Sequence, residues 1–110
     1  NGYLTLIDHQ LNRGIQGEWN FGPTLNCKHS VLEVVESLMK SANTELEIKI
    51  EPSNWTETDV LMLDSTKSNL DLNWHNKLNF TQMIEWTSEW YLTSNKEQIT
   101  RRQIESFNNL

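Results

Sequence analysis

The chain has 110 residues, a net charge of −6 and a single cysteine. That length holds one domain with a modest core, burying roughly two thirds of its unfolded surface. The acidic balance argues against a nucleic-acid surface, and no apolar run approaches the ~20 residues that span a membrane. Cys27 alone cannot close an internal disulfide, and no signal peptide is visible, so the expected location is the cytoplasm.

From the start of the chain, Tyr3, Leu4, Ile7 and Leu11 share one face of a helix over residues 1–13, which Gly14 can stop. A helix that opens the chain at once suggests a fragment, and its apolar face is expected to pack against another chain. Residues 18–22 form a short strand candidate with two aromatics, followed by a loop over 23–29. Ser30 and Glu33 make a capping box, and Val31, Val34, Val35 and Leu38 give a buried helical face to about Lys40. After a polar break at 41–44, Leu46, Ile48 and Ile50 alternate with Glu47, Lys49 and Glu51 as in a half-exposed strand. Residues 52–58 form a loop that contains Trp55.

Residues 60–63 are a short apolar run that suits a buried strand ending at a helix cap. Asp64 can accept from the free amides of a helix over about 65–70. Asn73 tolerates a left-handed backbone and can end that helix, leaving Trp74 to fold back on the core. Asn79 and Gln82 form a second capping box, with Leu78 and Met83 at staple spacing. Phe80, Met83, Ile84, Thr87, Trp90 and Tyr91 then recur at helical spacing, widened by Trp86. A polar link over 93–98 leads to a third box, Thr100 with Gln103, stapled by Ile99 and Ile104; Ile104 and Phe107 anchor the last helix. The resulting expectation is one α+β domain over residues 1–110, with about four or five helices and two or three short strands.

Several motifs resemble a known family. Leu63-Asp64, Ser65-Thr66-Lys67, Leu72-Asn73-Trp74 and Glu85-Trp86-Thr87 with Trp90-Tyr91 resemble the C-terminal, substrate-binding part of extended short-chain dehydrogenases/reductases. There the pattern is L-D-x-(S)-K-A, then L-G-W-x-P, then a helix ending T-x-x-W-Y. Trp19-Asn20-Phe21-Gly22-Pro23 is similar to the W-N-F-G-P of the CDP-glucose 4,6-dehydratase branch. Residues 100–107, T-R-R-Q-I-E-S-F, are similar to its terminal T-x-x-Q-I-x-x-Y. The likeness runs over about residues 17–107.

The resemblance implies a nucleotide-sugar-binding domain, with a CDP-hexose as ligand and Asn26, Trp55, Thr56 and Glu57 as substrate-binding residues. It also implies an upstream Rossmann domain holding NAD, and a reaction that oxidises C4, removes water across C5 and C6 and returns hydride to C6. Where the branch reads P-H-E-A, this chain reads Trp55-Thr56-Glu57-Thr58. Glu57 matches and the histidine is replaced by Thr56, which keeps a related epimerase or reductase open. Asn73 and Asn76 stand where the family has glycine and proline.

The chain itself carries little chemistry. Its glycines, Gly2, Gly14, Gly17 and Gly22, build no phosphate-binding turn. Tyr3 and Tyr91 are followed four residues on by Ile7 and Asn95, not by the family's lysine. His9, His29 and His75 lack metal-ligand spacing, and Cys27 has only Lys28 and His29 beside it as activating neighbours. Glu57 and Asp59 read as loop charges and Asp64 as a cap. The sequons at Asn54 and Asn79 read as chance. No cofactor is therefore expected on this chain and no catalysis from it alone; a homo-oligomer is possible. The alternative reading is a free-standing interaction module.

Overall fold

The computed structural model describes residues 1–24, 27–51 and 61–110. Among these the regular structure is helical: α1 (Gly2–Arg13), α2 (Val31–Ser41), α3 (Thr66–Leu72), α4 (Phe80–Leu92) and α5 (Lys96–Asn108). The chain groups into two compact units. Unit 1 comes from Asn1–Cys27 and Thr56–Asn76, and unit 2 from Lys28–Trp55 and Lys77–Leu110.

The expected α+β class is overturned, because no strand forms among the described residues. A strand needs a partner for its backbone, or water must take its place. At residues 18–22 the partners are side chains of α3 and its cap. Lys67 Nζ donates to the Glu18 carbonyl at 3.0 Å, Ser68 Oγ donates to the Asn20 carbonyl, and the Gly22 amide donates to Ser65 Oγ at 2.8 Å. Residues 46–50 alternate as a strand would, yet Leu46, Ile48 and Ile50 are all solvent-exposed. Alternation marks two faces, but it does not supply a neighbour to pair with. Leu61 and Leu63 are likewise exposed, and Val60 lies outside the described residues.

In unit 1, α1 packs on α3. Gly14 ends α1 at φ 63° and ψ 23°, its amide donating to the Gln10 carbonyl. The stripe of Tyr3, Leu4, Ile7 and Leu11 faces solvent, whereas Gly2, Thr5, Leu6 and His9 are partly covered. At about 100° per residue these two sets lie on opposite sides of the helix. Phe21 occupies the covered side. Its ring meets Tyr3 edge-on at 5.7 Å and Trp74 at 5.0 Å, and a Cβ on Gly2 would come within 2.6 Å of it. Trp74 folds back as expected, and its indole donates to Asn1 Oδ1 at 3.0 Å. Asn73 ends α3 in the left-handed region at φ 50°. Leu72, 2% exposed, is the buried apolar residue beneath.

In unit 2, α4 packs on both α2 and α5. Both expected boxes form. Glu33 donates its amide to Ser30 Oγ at 3.2 Å and accepts from the Ser30 amide at 2.6 Å; Gln82 and Asn79 exchange the same pair at 2.9 and 3.0 Å. The rings of His29 and Phe80 stack with centroids 3.6 Å apart, tying the start of α2 to that of α4. The buried line of α4 is Ile84 and Ser88, while Met83 and Tyr91 of the expected stripe are exposed.

The third box does not form. Helix α5 begins at Lys96, where the Asn95 side chain accepts from the Gln98 amide at 3.0 Å. Thr100 and Gln103 lie inside the helix and serve α4 instead. Trp90 Nε1 donates to Thr100 Oγ1 at 2.9 Å, and Gln103 Nε2 donates to the Trp86 carbonyl at 2.9 Å. The anchor is Ile99, 3% exposed, rather than Ile104, 56% exposed. Lys96 closes α4, donating to the Tyr91 carbonyl at 2.8 Å with its ammonium 4.6 Å from the Trp90 ring centroid.

Ser88 Oγ is buried without a hydrogen-bond partner. An unpartnered buried hydroxyl costs about 1–3 kcal/mol, and alanine is the better helix former. Ser88→Ala is therefore expected to leave the denaturant midpoint unchanged or raise it, whereas Ile84→Ala is expected to cost about 2–5 kcal/mol. A clear loss of stability in Ser88→Ala would show that its hydroxyl has a partner after all.

Glu33 titrates below its ordinary value, chiefly through the hydrogen bond from the Ser30 amide, then the Ser30 hydroxyl, with a smaller pull from His29. Glu89 is lowered in the same sense, first by its hydrogen bond with Arg102. A carboxyl depressed on folding contributes stability above its ordinary value and loses it as pH falls through the lowered one. Stability should thus decline below about pH 4.5. That decline should be shallower in Glu33→Gln, which keeps a box-forming side chain but not its proton linkage; circular dichroism across an acid titration measures it.

Candidate functional site

The four residues nominated for substrate binding, Asn26, Trp55, Thr56 and Glu57, all lie outside the described residues, as does Asp59. What the structure does describe is a platform built on α3. Its residues divide into two rows by helical spacing. Ser65, Ser68 and Leu72 form one row, and Lys67 and Asp71 form the next.

The first row takes backbone. Ser65 stands at the N-cap of α3 with its side chain turned away from the helix's own amides. The hydroxyl instead accepts from the Gly22 amide at 2.8 Å and lies 3.4 Å from the Gly22 carbonyl, to which it can donate. The capping work falls to Asp64, whose carboxylate accepts from the Thr66 amide at 2.8 Å. Hydrogen bonds from Thr66, the side chain first and then the backbone, hold the Asp64 carboxyl below its ordinary value. Ser68 is fully buried, with its hydroxyl on the Asn20 carbonyl. Gly22 passes close to this row: a Cβ there would sit a tight 3.2 Å from the Leu63 Cβ.

The second row takes a side chain. Trp19 lies between the two charges: Lys67 Nζ stands 4.5 Å from its ring centroid, and its indole donates to Asp71 Oδ2 at 3.0 Å. Gly17 sits at φ 142°, a backbone conformation that residues with a side chain rarely adopt. A cation on an indole face and a charged acceptor at its edge are complementary to the ring's charge distribution.

This arrangement holds a segment. The hydroxyls of Ser65 and Ser68 are committed to main chain, and no histidine is bonded to either. Cys27 is exposed, with Sγ 3.1 Å from Thr24 Oγ1. The His29 ring stacks on Phe80. His9 Nδ1 lies 3.0 Å from the Thr5 carbonyl of its own helix. Among the described residues no three His, Cys, Asp or Glu come together to hold a metal.

NAD is held through its pyrophosphate. A pyrophosphate needs open amides at a helix start beside a close-approaching glycine turn. The starts of α2 and α4 are closed by their own capping boxes, and that of α5 by Asn95. At α3 Asp64 takes the Thr66 amide, whereas α1, which opens at Gly2, has no side-chain cap.

Lys67 belongs to a motif that reading the sequence singled out, whereas Ser68 and Asp71 do not. A serine and an aspartate on a short helix look like solvated positions. The available signal was their spacing from Ser65 and Lys67. Replacing Ser68 with alanine removes the part-buried hydrogen bond to the Asn20 carbonyl, at a cost of about 0.5–1.5 kcal/mol. Lys67→Ala removes a more exposed contact and should cost under about 1 kcal/mol. Denaturant unfolding followed by tryptophan fluorescence ranks them; the reverse order would mean that the indole clasp, not the hydroxyl row, holds the segment.

No family model, curated protein sequence or solved structure matches this chain.

Proposed function

We propose that the chain is the substrate-cradling part of a CDP-glucose 4,6-dehydratase-like enzyme of the extended short-chain dehydrogenase/reductase family. One observation carries this reading. The Trp19-Asn20-Phe21-Gly22 motif and the Asp64-Ser65-Thr66-Lys67 motif meet in space: the Gly22 amide donates to Ser65 Oγ, 43 positions away, and Lys67 Nζ lies over the Trp19 ring. Motifs quoted for a single family thus form one physical unit. Asn26 follows the first motif closely, and Trp55, Thr56 and Glu57 precede the second. The reading gives these four the contacts to a nucleotide sugar, most simply a CDP-hexose, in the cytoplasm. Redox chemistry and NAD would belong to an upstream Rossmann domain. The exposed apolar stripe of α1 supports such a neighbour, since it lies opposite the face that α1 uses within unit 1.

A related epimerase or reductase differs from this reading in its reaction and its nucleotide, and Thr56 is the departure that favours it. The free-standing interaction module is favoured by the same uncovered stripe together with the net charge of −6. Titration calorimetry with CDP-glucose, UDP-glucose and dTDP-glucose separates the three. CDP-glucose should bind most tightly to the full-length protein, and Glu57→Ala should weaken it at least about tenfold, or 1.4 kcal/mol. Preference for another nucleotide, with no turnover of CDP-glucose by the full-length protein, selects the epimerase or reductase. Absence of binding to all three selects the interaction module.

A further inference from the structure

We draw no further inference here: the strongest candidate, the apolar groove of unit 2 lined by Leu78, Met83, Trp86, Trp90, Tyr91 and Gln103, is an uncovered surface and nothing in the structure shows what covers it.

Discussion

The described part of unit 1 rests on the hydroxyl row of α3. Residues 18–22 pair with no strand among the described residues, so their polar backbone must find partners elsewhere or stay in water. Ser65 and Ser68 supply those partners from one face of a seven-residue helix. Such a short helix is marginal by itself. It is stabilised in turn by Asp64 at its start, Asn73 at its end and Leu72 beneath. Helix and segment therefore hold each other, and Phe21, carried on that segment, becomes the ring on which Gly2, Tyr3 and Trp74 converge.

Unit 2 follows a different economy of forces. Its helices begin at side-chain caps and are joined by aromatic and amide contacts along α4. Ile84 and Ile99 are the buried apolar residues, while much of the tryptophan and tyrosine surface remains partly in water. Polar ties replace what a larger core would contribute. The Trp90–Thr100 and Gln103–Trp86 bonds link α4 to α5 at two successive turns, and the Arg102–Glu89 pair reinforces the same seam.

Local chemistry was legible in the sequence. A capping box involves residues three apart, so Ser30 with Glu33 and Asn79 with Gln82 could be read directly, as could the left-handed ends at Gly14 and Asn73. What depends on a distant partner was not legible. The alternation around Ile48 looks the same with or without a neighbouring strand. Asn95 with Gln98 and Thr100 with Gln103 carry the same box signature, and contact with α4 decided between them. On α1, apolarity pointed to Tyr3, Leu4, Ile7 and Leu11, but packing selected the opposite face, where Gly2 admits the Phe21 ring. Of the candidate site, the anchoring motifs were visible from their residues, while the role of Ser68 required its burial.

The functional reading depends on that anchor, because it fixes the chain just after Trp19 and just before α3. Amide hydrogen exchange at Gly22, read by NMR in the native chain and in Ser65→Ala, probes it most directly. The account predicts a protected Gly22 amide that becomes fast-exchanging in the variant, while the interior amides of α4 and α5 keep their protection. An amide equally protected in both proteins, with cross-strand contacts from residues 18–22 to another extended segment, would contradict it.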